Sequence, residues 1–176
     1  MLKRYENFLK ELDKQLEEYF KDQKDYICCK KGCSLCCELG DYPFSRLEME
    51  YLMQGFITLP NDIRLIIKKN IEDIKTSGLK EYKCPFLIDN LCVLYERRGI
   101  VCRTHGLAYL YNGIIKLPHC AKENLNYSKV FDTKTGEILI DNPINTSLRI
   151  DDIFKSKLAE KYALECGEIR RMIDWL

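Results

Sequence analysis

Cysteine crowds into one stretch of this chain. Residues 28–37 read Cys-Cys-Lys-Lys-Gly-Cys-Ser-Leu-Cys-Cys and hold five of the ten cysteines in the 176-residue sequence. Packing does not call for that density, because a thiol fills space no better than Ala or Val. Several thiolates in close quarters are what a soft metal ion or an iron–sulfur cluster needs. At about 100° per residue, a helix here would set Cys29, Cys33, Cys36 and Cys37 within about 100° of arc, one sulfur-lined face. If the stretch is a turn instead, Gly32 supplies the permissive backbone of a metal-binding loop.

A second group follows: Cys84, Cys92, Cys102 and Cys120. Four plus four thiols fit two metal ions, or one cluster with structural thiols around it. A mononuclear zinc takes four ligands and typically uses Cys-x2-Cys pairs. The adjacent Cys36 and Cys37 fit that poorly, since neighbouring side chains rarely both reach one ion. An iron–sulfur cluster of the 4Fe-4S kind offers several irons and relieves the crowding, which tilts the reading toward iron–sulfur and keeps zinc as the other option.

The compartment matters to this argument. The chain opens Leu2-Lys3-Arg4-Tyr5-Glu6, without an apolar signal region, and holds no run of 18 apolar residues. A cytoplasmic protein away from the membrane is the expectation, and there reduced thiols favour metal over disulfides. Charge is balanced, 28 basic against 27 acidic residues, so no global excess calls for nucleic acid. Lys30, Lys31, Arg97, Arg98 and Arg103 sit beside cysteines and could offset thiolate charge. A hydrophobic share of 46% can bury a core.

Periodicity sketches the elements. Leu2, Tyr5, Phe8, Leu9, Leu12, Leu16 and Phe20 predict an amphipathic helix over 2–24, within an N-terminal segment 1–26. After Asp41-Tyr42-Pro43-Phe44, a capping box is expected from Ser45 and Glu48, a hydrophobic staple from Phe44 and Met49, and a helix end near Gly55. Another helix should start after Pro60, capped by Asn61 or Asp62, and close at Gly78. Hairpins are expected at 86–93 around Asp89-Asn90, and at 107–117 around Asn112-Gly113. A turn at Lys134-Thr135-Gly136 should lead into a short strand at Ile138 to Ile140. Residues 151–175 read as a final amphipathic helix bearing Ile153, Phe154, Leu158, Tyr162, Cys166, Ile169 and Ile173. The cysteine region with its two intervening helices spans 27–120.

The residues carry a resemblance as well. Cys29-x3-Cys33-x2-Cys36-Cys37, then Cys84-Pro85-Phe86-Leu87, Cys92-x2-Tyr95-Glu96-Arg97, Cys102-Arg103 and Cys120 resemble the YkgJ-like cysteine-cluster family, named for a CxxCxxCC motif and described as a zinc- or iron-chelating domain. The resemblance covers roughly 29–120. Its first spacing is three residues rather than two, and Ile100 stands where an Arg-Pro pair usually precedes the Cys-Arg step. It implies that Cys29, Cys33, Cys36, Cys37, Cys84, Cys92, Cys102 and Cys120 bind metal. It also extends to flagellin lysine N-methylases, longer enzymes with a similar cysteine region, although no methyl-donor site or nucleotide loop is identifiable in this chain.

Two cysteines stand apart. Cys28 has no counterpart in the resemblance, and Cys166 sits on the last apolar stripe, where a free thiol behaves as a small hydrophobe. The two histidines, His105 and His119, each lie within three residues of a cysteine and are either ligands or hydrogen-bonding neighbours. Trp175 reads as a hydrophobic anchor. The expectation is a single α+β domain of 1–176, mainly α, with helices around a small irregular β-hairpin region that holds a cysteine-rich metal centre. The matching function is metal binding, with a redox or electron-transfer accessory to an unidentified protein partner as the expected use. A structural zinc domain and a lysine N-methylase-like enzyme are the alternatives.

Overall fold

The structure is a computed structural model that describes residues 1–30, 32–38, 40, 42–139, 141 and 144–176. Its elements run in the order α1 (Leu2–Asp22), α2 (Leu35–Glu38), β1 (Pro43–Ser45), α3 (Arg46–Thr58), α4 (Asn61–Ser77), β2 (Leu87–Ile88), β3 (Leu91–Cys92), α5 (Ile100–Thr104), β4 (Tyr109–Tyr111) and β5 (Ile114–Lys116). Then come β6 (Phe131–Asp132), β7 (Glu137–Ile138), α6 (Lys157–Lys161), β8 (Ile169–Arg171) and α7 (Met172–Trp175). Short 3-10 turns fill several connections, the longest at Ile150–Lys155. The class is α+β and mainly α, and the sheets among the described residues are four antiparallel strand pairs. Among the described residues, no helix is long and apolar enough to cross a membrane.

The chain divides into two compact units. The first comprises 1–3, 32–102 and 165–176, and the second 4–31 and 103–164.

The core of the first unit is Phe44, Met49, Leu52, Phe56, Ile67, Phe86, Leu94, Met172 and Ile173 with their neighbours. The predicted capping box is in place: Ser45 Oγ accepts from the Glu48 N–H, and Glu48 Oε2 accepts from the Ser45 N–H at 2.8 Å. The helix runs past Gly55 to Thr58. Gly55 packs instead of terminating, since a Cβ there would lie 2.8 Å from Arg97 Cγ. Pro60 ends α3 by forcing Leu59 into extended backbone, and Pro60 itself, not Asn61 or Asp62, is the residue that caps α4. Gly78 closes α4 in the left-handed conformation.

The predicted helix over 151–175 is not formed. The chain makes the 3-10 turn Ile150–Lys155, then α6 capped by Ser156, and leaves helical geometry at Ala163 (φ 47) and Gly167 (φ 71). It then pairs as β8 with β1, Phe44 opposite Arg170. Helical periodicity over a stretch that contains Gly167 could not register this pairing, because the partner strand lies more than a hundred residues away. Cys166 is accordingly half-buried beside β8, where its carbonyl accepts from the Leu47 N–H at 3.1 Å. Trp175 is half-buried, and its Nε1 donates to the Phe44 carbonyl at 2.9 Å.

The second unit packs α1 through Tyr5, Phe8, Leu9, Leu12 and Leu16. Phe8 stacks on Phe154 with ring centres 6.3 Å apart and meets the edge of Tyr162 at the same distance; such pairs contribute about 1 kcal/mol each beyond burial. A smaller core gathers Ala108, Ala121, Tyr127, Val130 and Ile144. The Asn112-Gly113 hairpin forms as predicted, with both turn residues at positive φ, and pairs Leu110 with Ile115. The turn at 134–136 joins β6 to β7, so its second strand starts at Glu137; Ile140 lies outside the described residues, as do Lys31 and Asp41.

Candidate metal centre

The cysteine run is neither one helix nor one turn. Only Cys36 and Cys37 are helical, in the single turn α2; Cys29 and Cys33 lie outside it, and Gly32 between them has φ 86. The run also crosses between units, so Cys28 and Cys29 belong to the second and Cys33, Cys36 and Cys37 to the first. Of the eight thiols named from the sequence, Cys84, Cys92 and Cys102 join the latter three, and Cys120 joins Cys29.

In the first unit, Ser34 opens α2 by accepting from the Cys37 N–H at 2.7 Å through its carbonyl. The turn sets the Cys36 and Cys37 sulfurs 3.9 Å apart. The Cys37 carbonyl accepts from the Cys84 N–H at 2.6 Å, which docks the second cysteine group onto the first. The Cys84 carbonyl in turn accepts from the Leu87 N–H at 3.0 Å, and Leu87 faces Cys92 across the β2–β3 hairpin. Tyr42 donates its hydroxyl to the Cys36 carbonyl at 2.6 Å.

Electrostatics tie the thiols into one group. The charge of Cys37 is opposed by Cys36, Cys84 and Cys102; that of Cys84 by Cys92 and Cys36; that of Cys102 by Cys84, Cys92 and Cys36. Burial pushes Cys84 up to about 12, raises Cys92 and holds Cys102 well above the ordinary thiol value. Cys36 is drawn down to about 7, chiefly by the hydrogen bond it accepts from Cys37, with Arg98 adding a smaller pull. Cys33 is exposed at the edge of α2. Thiols held protonated by burial are poor nucleophiles. They become good donors once a cation supplies the positive charge that the apolar surroundings lack.

Beside Cys84 opens a groove of about 460 Å³ walled by Ile66, Asn70, Ile74, Tyr82 and Leu87.

In the second unit, Asn126 is buried and organises the neighbouring sulfurs. Its Oδ1 accepts from the Cys28 N–H at 2.7 Å, and its Nδ2 donates to Cys29 Sγ and to the Gly106 carbonyl, each at 3.3 Å. Cys28 is exposed and its Sγ donates to the Leu125 carbonyl at 3.5 Å. Cys120 is buried in the 3-10 turn His119–Ala121, and its carbonyl accepts from the Leu125 N–H at 3.2 Å. Burial raises the Tyr127 phenol, and Cys120 and Cys29 add to the rise. Burial lowers His105 to about 4, with His119 near enough to add to the shift.

Arg103 is buried and its guanidinium pairs with Asp13 at 2.5 Å. Of the basic residues named, Arg98 acts on Cys36 and Cys92. Tyr42 and Asn126 were missed by sequence reasoning. Asn126 sits in the Asn124–Tyr127 turn, where composition signals a turn and nothing signals a sulfur contact. Among the described residues, no three Cys, His, Asp or Glu side chains are already gathered at metal-ligand spacing. Comparison of the chain with family models, curated proteins and solved structures returned no match.

Proposed function

We propose that the first unit is a metal–thiolate module whose donors are drawn from Cys36, Cys37, Cys84, Cys92 and Cys102, with Cys33 at its exposed edge. The geometry that supports this most is the docking of the second cysteine group on the first: the Cys36 and Cys37 sulfurs lie 3.9 Å apart, the Cys84 N–H donates to the Cys37 carbonyl at 2.6 Å, and the hairpin that follows Cys84 carries Cys92 opposite Leu87. Cys84, Cys92 and Cys102 also pack against the hydrophobic core of the first unit, so the case for metal rests on their grouping with the vicinal Cys36 and Cys37. All-sulfur donors suit a 4Fe-4S cluster or zinc, and the 3.9 Å between the vicinal sulfurs is close to the edge of roughly 3.8 Å that bonds of about 2.3 Å give a tetrahedral zinc–thiolate site, so zinc stands level with the cluster. Bound there, a cluster would exchange single electrons, and the module would act as a redox accessory. Tyr42 would hold the α2 turn, and Arg98 would offset part of the thiolate charge. The groove beside Cys84 favours a second reading, an enzyme that brings a small ligand to the sulfur group.

Anaerobic purification followed by iron, sulfide and zinc analysis tests the proposal. Metal is expected in the wild type, in Cys28→Ser and in Cys166→Ala, and a large loss in Cys84→Ser and Cys102→Ser. A brown protein with stoichiometric sulfide selects the cluster, and a colourless zinc protein selects the zinc–thiolate form. Wild-type protein that carries neither metal, or a Cys84→Ser and Cys102→Ser pair that keeps it, overturns the reading.

A further inference from the structure

Cys36 and Cys37 are both free and half-buried, and their sulfurs stand 3.9 Å apart. Neighbouring side chains diverge by about 100° around a helix, so this approach requires both rotamers to turn toward each other. Two sulfurs held in that way are placed for a bond between them, which would bring them to about 2.05 Å.

The peptide unit that joins the two residues is held at both ends. Its carbonyl, that of Cys36, accepts from the Tyr42 hydroxyl at 2.6 Å. Its N–H, that of Cys37, donates to the Ser34 carbonyl at 2.7 Å. Consecutive Cα atoms lie about 3.8 Å apart, less than the roughly 4.4–6.8 Å that disulfides ordinarily span. A bond between neighbours therefore has to twist that one peptide unit, and both hydrogen bonds oppose the twist. A bond closed against such resistance is readily reduced again, so the geometry suits reversible chemistry and not a permanent cross-link. The helical turn involved is only Leu35–Glu38, which keeps the distortion local. Its one outlet is the Cys37 carbonyl, which accepts from the Cys84 N–H at 2.6 Å and so links the pair to the second cysteine group.

We propose that Cys36 and Cys37 are a thiol–disulfide exchange pair that closes reversibly to a vicinal disulfide, with a low-molecular-weight disulfide of the oxidised glutathione kind as co-reactant. One thiol of the pair gives its proton to solvent and its sulfur attacks the reagent. A mixed disulfide forms as the reagent's S–S bond breaks, and one glutathione thiolate leaves. The second thiol, also deprotonated, attacks the protein sulfur of the mixed disulfide. The Cys36–Cys37 bond forms and the second glutathione thiolate leaves. Two electrons pass from the pair to the reagent, and two protons end on the two glutathione thiols. These sulfurs are shared with the thiol centre proposed above, yet the exchange does not require metal; closing the bond removes two of that centre's donors.

The test uses the full chain, reduced and metal-free under anaerobic conditions, equilibrated with mixtures of reduced and oxidised glutathione. After acid quenching, free thiols are alkylated and the tryptic peptide 32–46, which holds Cys33, Cys36 and Cys37, is weighed. As oxidised glutathione rises, the wild-type peptide should lose two alkylated thiols to an internal disulfide, and it should regain them when the ratio is reversed. Cys33 is exposed, so Cys33→Ser leaves the fold intact, and its peptide holds only the vicinal pair. Cys33→Ser should therefore still form the internal disulfide. Tyr42→Phe frees the carbonyl of the twisted peptide and should reach half-oxidation at a lower ratio of oxidised to reduced glutathione. A Cys33→Ser peptide that keeps both thiols at every ratio overturns the pair, since any bond in the wild type is then one that Cys33 makes. An unchanged ratio in Tyr42→Phe overturns the resistance assigned to the peptide unit. Metal analysis separates this pair from the thiol centre. Wild-type protein that carries no metal but closes the bond ends the centre and leaves the pair standing, and protein that carries metal but never closes the bond ends the pair alone.

Discussion

Glu48 shows how much one residue can carry. Its carboxylate caps α3 through the Ser45 N–H and hydroxyl, and it also accepts from the Ile100 N–H at 2.9 Å, so one buried group fixes the start of α3 and the start of α5. Burial nevertheless wins over these hydrogen bonds and raises its pKa above the ordinary 4.5. The folded protein therefore holds the Glu48 proton at pH values where the unfolded chain has released it. Its contribution to stability is complete below pH 4.5 and is lost as pH rises through the folded-state value. Urea denaturation of the wild type and Glu48→Gln should show stability falling more steeply with pH in the wild type, from about 4.5 upward. A wild-type minus variant difference that rises with pH instead would refute the assignment. The capping role was legible from Ser45 and Glu48 spaced three apart; the reach to Ile100 was not, because nothing in the sequence near either residue records a contact across 52 positions.

Among elements, those written in local chemistry were legible. The amphipathic stripe of α1, the Pro60 break, Gly78 and the Asn112-Gly113 turn each act within a few residues, and each stands close to where it was read. The C-terminal segment was misread because apolar spacing continues through Gly167 while the backbone does not. Gly167 has φ +71, and a Cβ there would meet Arg46 Cβ at 3.0 Å, so the turn that delivers β8 to β1 depends on a missing side chain. Gly167→Ala should lower unfolding stability by about 1–2 kcal/mol, the cost of a left-handed L-residue plus the contact. Its metal content should match the wild type. Equal urea midpoints for the two proteins would show that β8 is not anchored by this turn.

For the whole molecule, the density of cysteine is the reason to propose metal chemistry, and the sorting of thiols into two units was hidden in the sequence. Cys29 and Cys33 are four residues apart and fall in different units: Cys29 lies against Gly106 and Asn126 in the second, and Cys33 belongs to the first. Within the first unit, strands of two residues in the β2–β3 hairpin are too short to persist unaided. Chelation should therefore raise hydrogen exchange across 84–102 while α4 stays protected, because metal binding and local folding are coupled. Exchange across 84–102 that is identical with and without metal would remove that coupling. The chain path also orders events during synthesis. The second unit is complete once residue 164 has been made, yet the first must wait for 165–176, which supply β8 and α7. Its five grouped thiols are all translated by residue 102, and at typical elongation rates of roughly 5–20 residues per second the closing strand arrives several seconds later. For that interval the nascent chain presents its thiols on an unfinished scaffold, open to oxidation while the ribosome is still at work.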